Sequence, residues 1–109
     1  MSKYHNRKTV SRDGSVFPSA LECKRYEELL ILERIGEIEK LERQVRWRVV
    51  PAQKGERPVD YIADFQYFDK QGHLHVEDTK GVRTKDYVIK RKLMLWIHGV
   101  RIEEINRGR

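Results

Sequence analysis

Tyr61-Ile62-Ala63-Asp64-Phe65-Gln66-Tyr67-Phe68-Asp69-Lys70-Gln71-Gly72-His73-Leu74-His75-Val76-Glu77-Asp78-Thr79-Lys80 sets the arrangement of the chain around it. Two strand-like runs, 61–68 and 73–80, flank a polar break ending in glycine, which reads as a hairpin. A three-residue loop, Lys70-Gln71-Gly72, puts glycine at the left-handed position that such connections use. It pairs Asp69 with His73 and, counted outward, sets Asp64 across from Asp78. Directly opposed residues have Cβ atoms roughly 4.5–5.5 Å apart, and like charges there are destabilising. Two carboxylates so placed call for a cation, and Lys80, two residues past Asp78, projects to the same face. The count depends on the loop. A two-residue turn, Gln71-Gly72, pairs Asp64 with Thr79 and turns Asp78 to the other face, and further slips make Glu77 the facing acid.

Before the hairpin, Ser19-Ala20-Leu21-Glu22 opens a helix with a capping-box signature. It runs to about Ile35 and stops at Gly36, with Glu22, Tyr26, Leu29, Leu30 and Glu33 as its inward stripe. Two readings stand for Glu22: a cap for backbone N–H groups, or an acid leaning over the sheet toward a metal. A strand over about 38–50 alternates Val45, Trp47 and Val49 with Gln44, Arg46 and Arg48. Pro51–Pro58, carrying Lys54 and Arg57, is a polar loop. After Lys80-Gly81, Thr84 caps a second helix to about His98. Val88, Leu93, Leu95, Trp96 and Ile97 form its apolar side, and Lys85, Lys90, Arg91 and Lys92 its basic one. Gly99 ends it, and Val100–Ile105 is a last strand. Trp47 and Trp96 read as core or interface residues. His73-x-His75, lacking a third nitrogen or sulfur ligand, reads as a pair of exposed strand histidines. The order αβββαβ predicts an α/β fold, a mixed central sheet flanked by helices.

The chain has 109 residues, enough for one small domain, read as 13–109 behind an arm at 1–12. That arm carries Lys3, Arg7, Lys8 and Arg12 against no acid; it is a mobile segment that orders on nucleic acid, or a tail without a role. Arg107 and Arg109 make a basic tail. Charged residues are 37% of the chain and the net charge is +6, which favours an anionic partner, nucleic acid being the commonest. Arg83, Lys85, Lys90, Arg91 and Lys92, with Lys54 and Arg57, are the candidate phosphate contacts, against the alternative of a solvated face. The single cysteine, Cys23, excludes an internal disulfide, and no apolar run approaches the ~20 residues of a membrane span. An intracellular, cytoplasmic chain is expected.

Glu22 on a helix, Asp64 on a strand and Asp78-Thr79-Lys80 on the next strand, in this element order, resemble the PD-(D/E)XK nuclease superfamily. Its small phage-encoded endonucleases and Holliday-junction resolvases are the most similar, over about Phe17 to Ile105. The resemblance implies a restriction-endonuclease-like core and gives each of the four residues a family position: Glu22 the helix glutamate, Asp64 the strand aspartate, Asp78 and Lys80 the acid-x-lysine. Ala63 stands where the family has proline. The chemistry implied is Mg²⁺-dependent hydrolysis of DNA, with Mn²⁺ as a substitute. Asp64 and Asp78 would hold the ion, as Mg²⁺ favours oxygen ligands, with the Thr79 carbonyl and Glu22 as further ligands. Lys80 would orient the nucleophile and offset negative charge. Branched DNA as substrate, in phage replication or recombination inside a bacterial host, also comes from the resemblance. Two symmetric cuts are made most simply by a homodimer. From other classes, a non-catalytic nucleic-acid-binding module and a phage assembly subunit remain.

Overall fold

A computed structural model describes residues 8–80 and 82–106 of the chain. They form β1 (Thr9–Val10), β2 (Val16–Phe17), α1 (Ala20–Arg34), β3 (Ile38–Val50), β4 (Val59–Asp69), β5 (Leu74–Thr79), α2 (Lys85–Leu93) and β6 (Glu103–Ile105). Arm residues 1–7, Gly81 and the tail arginines Arg107 and Arg109 lie outside the described residues. The result is an α/β fold with a mixed four-stranded sheet in the order β3-β4-β5-β6. β3, β4 and β5 are successively antiparallel, and β6 lies parallel to β5.

The three-residue connection is the one that forms. Asp69 N–H donates to the His73 carbonyl and Gly72 N–H to the Asp69 carbonyl, both at 3.0 Å, and Gly72 has φ +85°. The Asp69 carboxylate takes the N–H groups of Gln71 and His73, so the acid itself fixes the turn. The ladder runs from Phe68–Leu74 to Phe65–Glu77. One step further, Asp64 faces Asp78.

α1 starts as its cap predicts, with the Ser19 hydroxyl accepting the Glu22 N–H at 3.2 Å. It ends in a Schellman turn: Gly36, at φ +83°, bonds back to Glu33, and Glu37 to Leu32. Cys23 takes an inward position on this helix, while Leu30 and Glu33 are only half-buried.

Two apolar clusters hold the sheet. Phe17, Cys23, Tyr26, Leu29, Ile38, Phe65 and Tyr67 gather around α1. Val49, Tyr61, Ala63, Val76, Tyr87, Met94 and Ile102 gather around α2. β4 therefore serves both, Tyr61 and Ala63 in one and Phe65 and Tyr67 in the other, with Asp64 at the seam. Opposite the seam, Gln44 has φ +53°, a left-handed conformation unusual for a residue with a side chain.

Several boundaries differ from the sequence reading. Thr9–Arg12 are not part of a free arm: β1 pairs with β2 across the Asp13-Gly14-Ser15 turn, and Arg12 N–H donates to Glu27. The end of the second helix widens into a π turn, Met94–His98, before Gly99 at φ +68°. That turn carries Met94 into the core and leaves Trp96 86% exposed, so Trp96 is not a core residue. Trp47 is half-buried, with its indole N–H on Gln66 at 3.0 Å. The last strand is only three residues long, because Ile102 before it turns into the α2 cluster. His75 is not an exposed histidine either. Its nitrogens meet Glu103 at 2.7 Å and Asp69 at 2.8 Å, and its ring stacks on Tyr67. Among the described residues no helix is long and apolar enough to cross a membrane.

Candidate active site

Past Phe65–Glu77 the β4–β5 ladder gives way to a side chain. Asp64 Oδ2 accepts both the Thr79 N–H and the Thr79 hydroxyl, each at 2.8 Å, which satisfies a backbone donor that the strand pairing has dropped. Asp78, across from it, is buried. Its Oδ2 accepts the Tyr61 hydroxyl at 2.6 Å and its Oδ1 lies 2.9 Å from Lys80 Nζ. The ammonium also sits 4.0 Å above the Tyr87 ring, a cation–π contact that helps to fix its position.

Glu22 arrives from α1. Although it sits at the third position of its capping box, its carboxylate does not turn back to the helix start. Oε2 instead accepts from Gln44 Nε2 at 3.3 Å, and the same amide reaches toward Asp64 Oδ1 at 3.5 Å. The unusual backbone of Gln44 is what puts one amide between acids from two different elements. Four elements, α1, β3, β4 and β5, thus bring Glu22, Gln44, Asp64, Asp78, Thr79 and Lys80 to the seam.

This crowding is visible in the acidities. Burial, with Asp64 and Asp78 adding repulsion, pushes the Glu22 carboxyl up to about 7, against the pull of Arg43 and Lys80. Burial likewise carries Asp78 to about 6; the Tyr61 hydrogen bond and Lys80 oppose it, and Asp64 reinforces it. Tyr61, raised by burial and by its bond to Asp78, remains a phenol that donates.

Glu77, the neighbouring acid, goes elsewhere. Glu77 is gripped by Arg25, at 2.8 Å and 2.6 Å, and by the Tyr67 hydroxyl. Of the two acids, Asp78 is the one at the site.

Gln44, Tyr61 and Arg43 were not singled out in the sequence. Nothing local marks Gln44, since its conformation depends on the seam. Tyr61 reads as one more core aromatic until its hydroxyl is seen on Asp78. Arg43 lies 3.8 Å over the Phe17 ring, and its buried Nε has no partner among the described residues. The basic residues divide into two groups. Arg83, Lys85, Lys90, Arg91 and Lys92 sit on or just before α2, and Arg91 lies 5.9 Å from the centre of the Tyr87 ring. Lys54 and Arg57 are exposed in the β3–β4 loop, beyond Val59, itself about 17 Å along the strand from Asp64.

Among the described residues no three His, Cys, Asp or Glu side chains gather into a metal-holding group. Mg²⁺ does not need one, because it is usually held by one or two carboxylates together with water and substrate phosphate. Asp64, Asp78 and the Thr79 carbonyl are oxygen donors throughout, and the mutual repulsion of the acids is the charge imbalance that a divalent ion relieves. In kind, these residues fit the ion.

The family model described as Protein of unknown function (DUF1064) matches residues 1–106. The chain belongs to that family. No curated protein and no solved structure matches it. In this DUF1064 chain the chemical groups converge at the seam. It offers carboxyls at Glu22 and Asp78 that exchange protons near neutrality, a fixed ammonium, and a donor set suited to a hard cation.

Proposed function

We propose that this DUF1064 protein is a Mg²⁺- or Mn²⁺-dependent endodeoxyribonuclease of the PD-(D/E)XK kind, with a restriction-endonuclease-like core. One observation carries the reading: Glu22, Asp64 and Asp78, from three separate elements, meet at the seam of the two cores, Gln44 bridging Glu22 and Asp64 and Lys80 pairing with Asp78. A fold that needed only stability would not bury two like charges beside a third.

Asp64 and Asp78, with the Thr79 carbonyl, are the groups to hold the ion. When bound, the ion supplies charge neutralisation at the phosphate and the leaving oxygen. Tyr61 holds Asp78 in place from below, and Gln44 spaces Glu22 from Asp64. Glu22, held across the Gln44 amide from Asp64, is the group to take the proton from an attacking water. Lys80 offsets the charge that develops on the phosphate, its position fixed between Asp78 and the Tyr87 ring. Branched DNA as substrate and a two-fold dimer complete the proposal; both rest on the resemblance, and the second also on the need for two symmetric cuts. A non-catalytic binding module is the second reading. It is favoured by the Tyr61 and Lys80 contacts that already occupy both oxygens of Asp78.

The test is a cleavage panel of duplex, single-stranded, flap and four-way DNA with Mg²⁺, Mn²⁺ or chelator. Metal-dependent cutting that Asp78→Asn and Lys80→Ala each abolish, with DNA binding kept, is the expected outcome. Undiminished cutting by both variants removes the site assignment. No cutting of any substrate with either metal leaves the binding module.

A further inference from the structure

At the hydroxyl end of Tyr87, whose ring carries Lys80, lies a groove of about 560 Å³, lined by Arg91, Lys92, Leu95, Arg101, Ile102 and Glu104. We infer that this groove holds a backbone phosphate of the nucleic acid next to the one at Lys80, with Arg101 and Lys92 as its contacts. For its position along the strand the inference rests on the nuclease reading of Asp78 and Lys80.

Three cations face one acid there, and the acid is already satisfied. Glu104 accepts the Tyr87 hydroxyl at 2.7 Å, Arg83 at 2.9 Å and 2.6 Å, and Arg91 at 3.1 Å. Burial works against ionisation of Glu104, yet these bonds hold its carboxyl below the ordinary value, so it stays an anion with its charge spent. Lys92 and Arg101 have no ion pair among the described residues, and both are exposed. The groove is therefore left with uncompensated positive charge beside an apolar wall, Leu95 and Ile102. That combination suits a phosphodiester with its sugar lying against the wall. A neutral ligand would use the wall and leave the charge.

The distance to the candidate site also fits. Lys80 Nζ lies 4.0 Å above the Tyr87 ring, and the hydroxyl of that ring meets Glu104 in the groove wall at 2.7 Å. One tyrosine side chain thus separates the two positions, so a strand that meets Lys80 continues into the groove. Arg101, on the segment between the π turn and β6, is the new residue here, and it brings a second element to a surface otherwise made by α2.

The test measures binding in chelator, so it needs no cleavage. A labelled duplex is titrated with wild type, Arg101→Ala, Lys92→Ala and, as an equal loss of charge elsewhere, Arg34→Ala at the exposed end of α1, over a range of salt. Losing one phosphate contact lowers the salt slope by about 0.9, or roughly eightfold in affinity near 0.1 M salt. Arg101→Ala and Lys92→Ala should each do this, and Arg34→Ala should not. Equal slopes for Arg101→Ala and wild type overturn the inference, as do equal losses in all three variants, which would mean net charge alone. A parallel titration with inorganic pyrophosphate separates the sources. Pyrophosphate binding that depends on Arg101, with DNA binding that does not, makes the groove a small-anion site and overturns the backbone reading. A protein that cuts no DNA but shows the Arg101 slope change keeps the groove and loses the nuclease.

Discussion

Replacing Asp78 by asparagine should make the protein more stable at pH 8 while ending any hydrolysis. The carboxyl is buried, and its ordinary 3.8 is carried to about 6 by burial and by Asp64, even with Tyr61 and Lys80 opposing. Its ionised form therefore costs up to ~3 kcal/mol more in the folded chain than in the unfolded one. Water reaching half-buried Asp64 and Lys80 screens part of this, leaving about 1–2 kcal/mol. The direction with pH follows from proton binding. A raised carboxyl holds its proton more tightly when folded, so stability is fullest below the unfolded value and falls as pH rises through about 6. Asparagine keeps an acceptor for Tyr61 or Lys80 and cannot ionise, so that fall disappears. Thermal unfolding in chelator should put Asp78→Asn roughly 5–10 °C above wild type at pH 8. Near pH 4.5, where the aspartate is protonated, the two should coincide or wild type should lead. Millimolar Mg²⁺ should raise the wild-type midpoint at pH 8 more than that of the variant, since the ion relieves the same repulsion. A variant no more stable than wild type at pH 8, or equally more stable at both pH values, would refute the crowding argument.

Two further predictions concern parts of the fold away from the seam. Arg25→Ala strands Glu77, 1% exposed, without its cation, and should cost about 3–5 kcal/mol in a denaturant titration, whereas a loss under ~1 kcal/mol would mean that Tyr67 alone suffices. His75, raised above its ordinary value by its bond to Asp69, and Asp69, lowered to about 2 by the same bond, support each other between pH 3.8 and 6.5. Stability from the pair should be lost as pH rises through the imidazole's raised value, and again as pH falls from 3.8 toward 2. In His75→Ala the part of the high-pH decline owed to the imidazole should go, leaving that of Asp78 and Glu22; a decline that survives unchanged assigns all of it to those groups.

What the sequence determined is local. Capping by Ser19 and Thr84, the stops at Gly36 and Gly99, and the Lys70-Gln71-Gly72 connection each depend on a few adjacent residues, and all formed where they were read. From that connection the facing of Asp64 and Asp78 followed by counting, because strand register is set by loop length. Tertiary packing decided the rest. Glu77 and Asp78 are alike in sequence, and only Arg25 on α1 and Tyr61 on β4 give them separate environments. Glu22 satisfies the grammar of a helix cap, yet burial against Gln44 turns it toward the seam. Trp96 reads as core or interface, and the π turn that sends Met94 inward leaves it on the surface. The difference is physical: caps and turns are hydrogen-bonded within a few residues, whereas the charge and direction of a buried acid depend on partners 17 to 52 positions away.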